Sequence, residues 1–121
     1  RRSTYIYMKT EFSLDEMAAV LPIRIIHKGE AASFKWVISS GLMSDVLTTE
    51  REEVLLVSSL TTTQVIRTAD MIGANGVLIP CGKPLSGDTI AMAISLDITL
   101  VETDLQVFEV CYILGKLIHE G

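Results

Sequence analysis

Three stretches of the chain carry residue types that can meet an anion. Ser58-Ser59-Leu60-Thr61-Thr62-Thr63 follows an apolar run and precedes a helical pattern. At such a junction the free N–H groups of a helix amino terminus and the neighbouring hydroxyls can receive a phosphate or carboxylate. Plain capping of the helix by Thr61 or Thr62 accounts for the same residues, so both readings stand. The second stretch contains Gly82-Lys83, a pair that invites comparison with a phosphate-binding loop. Five residues separate Gly76 from Gly82 where that loop needs four, and Pro84 stands where a Ser or Thr would bind magnesium. It is not a P-loop, and Gly82 and Lys83 are candidates only by their position after a strand. The third is Thr103-Asp104, where Asp104 can contact a ligand, act as a base or cap the helix that follows.

Other chemistry finds little footing. His27 and His119 have no Ser, Cys or carboxylate constellation near them in sequence, so no catalytic residue is assigned. Cys81 and Cys111 lie thirty positions apart with no CxxC or Cys/His spacing, so no metal site is expected and both read as small buried residues of a reduced, cytoplasmic compartment. Gly73-Ala74-Asn75-Gly76 precedes a strand, whereas a dinucleotide fingerprint follows one, so it reads as a helix stop and a turn.

The elements that position these residues follow from the pattern. Ser13-Leu14-Asp15-Glu16 has the spacing of a capping box, and Pro22 ends the helix it starts. Ile23 to His27 and Phe34 to Ser39 are β-rich runs around the turn-like Lys28-Gly29-Glu30. Met43 to Leu47 reads as a short helix. Val54 to Val57 and Gly76 to Ile79 are continuous apolar runs, as in strands covered on both faces. Between them Val65, Ile66, Ala69 and Ile72 keep helical spacing. A helix starting at Ser86 or Asp88, a strand from Ile98 to Val101 and a long helix from Leu105 to about His119, capped by Thr103-Asp104, complete the chain. Strand and helix alternate from Val54 onward, which predicts right-handed crossovers and places all three candidate loops at one edge of the sheet, where ligands bind in open α/β sheets.

Composition bounds the function classes. The 121 residues are 49% hydrophobic and 21% charged, enough for one domain with a full core. A net charge of −5 disfavours broad binding to nucleic acid. Mean hydropathy is +0.42, yet no stretch approaches the ~18 apolar residues of a spanning helix, so no membrane is expected. The surplus apolarity calls for a protein partner, and the outward residues Phe108, Tyr112 and Ile113 of the last helix are the candidate dimer interface. The start Arg1-Arg2-Ser3-Thr4, without Met, reads as a piece of a longer protein.

Gly41-Leu42-Met43-Ser44-Asp45-Val46-Leu47, the strands Val54-Leu55-Leu56-Val57 and Gly76-Val77-Leu78-Ile79, and the ending Ile98-Thr99-Leu100-Val101-Glu102-Thr103-Asp104-Leu105-Gln106-Val107-Phe108-Glu109 together resemble the DRTGG domain. The resemblance runs from about Ser13 to Leu117 and rests on the order and spacing of these parts. The name-giving Asp-Arg-Thr-Gly-Gly is absent, and Lys28-Gly29-Glu30-Ala31-Ala32-Ser33 stands in its place, so nothing belonging to that motif carries over. The resemblance implies a fold similar to the amino-terminal domain of HPr kinase/phosphorylase and of the Mur ligases. Such domains occur beside CBS domains in regulatory pyrophosphatases, and between a dethiobiotin-synthetase-like P-loop domain and a phosphotransacetylase domain. They look like accessory, sensing or dimerising modules.

The expectations are therefore these. The fold is α/β, a three-layer α/β/α arrangement with a mostly parallel or mixed sheet of about four to six strands. Residues 1–12 are a linker or the end of a preceding segment, and 13–121 form the domain. The function is non-catalytic and regulatory: homodimerisation, contact with neighbouring domains of the same chain, and sensing of a small anionic metabolite or nucleotide, without a cofactor. The candidate ligand residues are Ser58, Ser59, Thr61, Thr62, Gly82, Lys83, Thr103 and Asp104. Two alternatives remain open: a phosphoryl- or acyl-transfer site in which Asp104, Lys83 and the hydroxyls of Ser58 to Thr63 converge, and a purely structural linker.

Overall fold

The computed structural model describes residues 5–39 and 52–120, with side chains over 11–39 and 52–118. Within them six strands run β1 (Tyr5–Ser13), β2 (Arg24–His27), β3 (Ser33–Ser39), β4 (Val54–Val57), β5 (Gly76–Ile79) and β6 (Thr99–Glu102). The described helices are α1 (Leu14–Val20), α2 (Thr63–Met71), α3 (Gly87–Ser95) and α4 (Val107–Glu120). The expected helix Met43 to Leu47, with the rest of the Gly41 to Leu47 segment, lies outside the described residues.

One sheet joins all six strands in the order β1-β3-β4-β5-β6-β2. β3 to β6 are mutually parallel, and the two edges, β1 on β3 and β2 on β6, are antiparallel. The mixed sheet agrees with the fold class read from the sequence. Residues 1–12 were expected to be a linker or the end of a preceding segment, yet Tyr5 to Phe12 belong to edge strand β1, which pairs from Tyr5 opposite Ser39 to Met8 opposite Trp36 and, after a register shift, at Phe12 opposite Phe34 and Ser13 opposite Ser33. Tyr5-Ile6-Tyr7 is a run of residue types that favour strands.

The central strands are buried on both faces, as their unbroken apolar runs require. Successive residues point to opposite faces. Leu56, Val77, Ile79 and Leu100 meet Val65, Ile66 and Ala69 of α2 and Ala93 of α3 in one core. Leu55, Val57, Leu78 and Val101 meet Leu14 and Met17 of α1 and Val110, Leu114 and Ile118 of α4 in the other. Helices thus cover both faces. The two adjacent βαβ crossovers, through α2 and α3, fall on the same face, as two right-handed connections stepping in one direction must.

Local chemistry fixes the ends. Ser13 Oγ accepts from Glu16 N at 3.1 Å and Glu16 Oε1 accepts from Ser13 N at 2.8 Å, the reciprocal box expected at α1. The turn after β2 needs glycine at position 29, since a Cβ there would stand 2.5 Å from the Asp97 carbonyl oxygen. Gly29 N donates to Thr99 Oγ1 at 2.9 Å, and Asp97 clamps the same turn by accepting from Glu30 N at 3.1 Å while its Oδ1 lies 2.9 Å from His27 Nε2. His27 is thereby a structural tie between β2 and the α3–β6 turn.

Candidate functional site at the strand carboxyl edge

The topology brings the three candidate loops to the carboxyl ends of β4, β5 and β6, side by side. The β5 and β6 loops are laced together by backbone: Thr103 N donates to Ile79 O at 3.0 Å, Gly82 N to Thr103 O at 2.9 Å and Cys81 N to Leu105 O at 2.7 Å. This lacing holds Cys81 and Gly82 in successive left-handed conformations, with φ of 70° and 62°. A cysteine there costs of order 1 kcal/mol, whereas Gly82 adopts the conformation freely. Cys81 Sγ lies 3.5 Å from Gln106 Oε1. Gly82 also lets the Asp104 carboxylate approach, since a Cβ on it would stand 3.0 Å from Asp104 Oδ1.

Two of the candidates are spent on the fold itself. Thr103 is fully buried, donates its hydroxyl to Pro22 O at 2.7 Å and accepts from Leu105 N at 3.3 Å. Ser58 is buried too, donating its N–H to Leu78 O and accepting from Leu60 N on Oγ at 3.2 Å. Neither hydroxyl is presented to solvent. Thr61 contributes its carbonyl to Thr89 Oγ1 at 2.8 Å. Ser59, Thr62, Gly82 and Lys83 are exposed.

Asp104 departs from its expected role. α4 begins at Val107, and Glu109 Oε1, accepting from Gln106 N at 2.9 Å, closes its first turn in place of Asp104. Asp104 instead pairs at 3.0 Å with Arg24 Nη2, whose Nε lies 3.4 Å from Glu102 Oε2. The Arg24 hydrogen bond, reinforced by its charge, holds the Asp104 carboxyl below the usual range. The Asp104 carboxylate is thus engaged by Arg24 in this structure. Arg24 itself escaped the sequence because it sits 80 positions from Asp104 and only the antiparallel β2–β6 pairing brings them together.

The amino terminus of α2 is the other distinctive feature of this edge. Thr62 takes the N-cap position with extended backbone but makes no side-chain capping bond, whereas Ser86 Oγ caps α3 by accepting from Thr89 N at 3.2 Å. The first amides of α2 therefore receive no capping bond from the Thr62 side chain. On the other flank of the edge, Cys111 of α4 is half-buried, and burial pushes its thiol pKa up against an opposing hydrogen bond with Ser39. Among the described residues no three His, Cys, Asp or Glu gather as a metal site, and no helix is long and apolar enough to cross a membrane.

No protein-family model matches the chain, and no curated protein matches its sequence. A solved structure does match. It is the crystal structure of the CBS and DRTGG domains of the regulatory region of Clostridium perfringens pyrophosphatase, complexed with its activator diadenosine tetraphosphate. The TM-score is 0.72 over 88% of this chain, at 16% sequence identity. The fold is DRTGG-like. The chain spans about half, 47%, of the length of that structure. The likeness holds without the name-giving motif: in this DRTGG-like fold Lys28 to Ser33 form the turn into β3 that Asp97 clamps.

Proposed function

We propose that this DRTGG-like domain is a non-catalytic regulatory module of a larger cytoplasmic protein, which self-associates and senses a small anionic nucleotide or related metabolite. The observation that carries the reading is the fold shared with a regulatory region that is bound to a nucleotide activator. The strand carboxyl edge fits it. Ser59, Thr62 and Lys83 are exposed there beside the uncapped start of α2, a set of donors and positive charge suited to phosphate oxygens. The deep residues of the same edge, Ser58 and Thr103, serve as its frame.

The test is thermal unfolding with diadenosine tetraphosphate, ATP, AMP and acetyl phosphate as separate probes. A ligand at a hundred times its Kd adds about 2.7 kcal/mol, equivalent to roughly 10 °C for a domain of this size. The triple variant Ser59→Ala, Thr62→Ala, Lys83→Ala should keep the unfolding temperature of the free protein and lose that shift. A shift of equal size in the variant would remove the site from this edge, and no shift with any probe at millimolar concentration would remove the sensing role.

A further inference from the structure

The outer face of α4 carries a feature that nothing among the described residues explains. Its inner face is complete, with Val110, Leu114 and Ile118 buried against the sheet. Ile113, expected at an interface, is partly buried against that same core. Phe108 and Tyr112 instead face outward at 80% and 59% exposure. With Gly115 they follow the four-then-three spacing of a helix–helix seam. Gly115 is the anomaly. Glycine weakens a helix interior, and a Cβ at this position would meet nothing within 4 Å. Among the described residues no neighbour asks for it.

We propose that a second copy of this chain seats its own α4 antiparallel across this face, with Tyr112 of each copy over Gly115 of the partner subunit. The inference rests on the self-association proposed above and assigns it a surface and a direction. Charge selects the direction. Glu109 and Lys116 are seven residues apart and so lie on one flank of the seam. Antiparallel helices set this flank against the same flank of the other copy and so bring Glu109 near Lys116 of the partner subunit, twice by symmetry; parallel helices would set it against the opposite flank, where the pairing is lost. Lys116 Nζ already lies along the seam, 5.6 Å from the Tyr112 ring centroid. A large ring over a glycine and a balanced charge pair give the self-complementary patch that a two-fold interface requires.

Sedimentation equilibrium of the 121-residue chain, from micromolar to submillimolar concentration at low salt, tests it. Gly115→Leu enters open space and replaces a poor helix former, so its unfolding temperature should match or exceed that of the parent while association weakens about tenfold or more. Lys116→Glu and Glu109→Lys should each weaken association by about tenfold, and the double reversal should return it to within about threefold of the parent. A dimer indifferent to Gly115→Leu, or a double reversal no stronger than the singles, overturns this interface and leaves self-association standing. A chain that is monomeric throughout overturns both.

Discussion

Thr103 separates a framework role from a ligand role, and replacing it with valine isolates the hydroxyl. The two side chains have nearly the same shape, so Thr103→Val leaves no cavity. It strands two backbone groups: the Pro22 carbonyl, 2.7 Å from Oγ1, and the Leu105 amide, 3.3 Å away. Both lie against a fully buried side chain. A buried polar group left without its partner costs about 1–3 kcal/mol, and about 2 kcal/mol is a reasonable sum here because the longer bond contributes little. An unfolding entropy of about 2.1 cal/mol/K per residue over 121 residues turns that into a fall of about 8 °C in Tm. Thr103→Ser keeps the hydroxyl and loses one methyl, about 1 kcal/mol or roughly 4 °C. Differential scanning calorimetry reads both. The expected order is parent, then serine, then valine, with ligand-induced shifts unchanged in all three. A valine variant within about 2 °C of the parent would refute the framework assignment, because it would mean that water or another group serves Pro22.

Two further outcomes follow from the Asp97 clamp and the Arg24 pair. Gly29→Ala forces a Cβ to 2.5 Å from the backbone oxygen of Asp97, and should cost about 2–3 kcal/mol in urea unfolding; a midpoint equal to the parent's would show that the turn yields freely. Asp97 and Asp104 both have pKa values lowered from 3.8, Asp97 chiefly by its hydrogen bond with His27 and Asp104 by that with Arg24. A carboxyl whose folded pKa lies below its unfolded value stabilises the fold above the unfolded pKa and loses that contribution as pH falls through the folded one. As pH falls below about 4 the parent's Tm should therefore fall more steeply than that of the Asp97→Asn, Asp104→Asn double variant. Equal slopes would mean that neither pair survives in solution.

Local patterns made most of the scaffold legible. Continuous apolar runs marked β4 and β5, helical spacing marked α2, and the S-x-x-E pattern placed α1 with its cap intact. The departures come from interactions distant in sequence. Thr103-Asp104 looks like a helix cap locally, but the Pro22 carbonyl claims the Thr103 hydroxyl and Arg24 the Asp104 carboxylate, each from about 80 positions away. Residues 1–12, expected as a linker or the end of a preceding segment, supply edge strand β1, whose pairing partner β3 is distant in sequence. Ile113 lost its outward place because α4 turns it toward the core shared with α1.

The consequence for function lies in how the strand carboxyl edge distributes its polar groups. Hydroxyls closest to the strand ends, at Ser58 and Thr103, are committed to backbone, and the β5 and β6 loops use their amides on each other. A ligand at this edge must therefore rest on the outer tier, Ser59, Thr62, Lys83 and the start of α2, where little has to be broken to admit it. Binding there touches the α2 terminus, while the proposed subunit contact lies on α4 across the sheet, on the opposite helical layer. The two can be coupled only through β4 to β6 and the laced loops that join Cys81 and Gly82 to Leu105 and Thr103, directly ahead of α4. A ligand that tightens this lacing would fix the start of α4, and by linkage the dimer would then bind that ligand more tightly than the monomer.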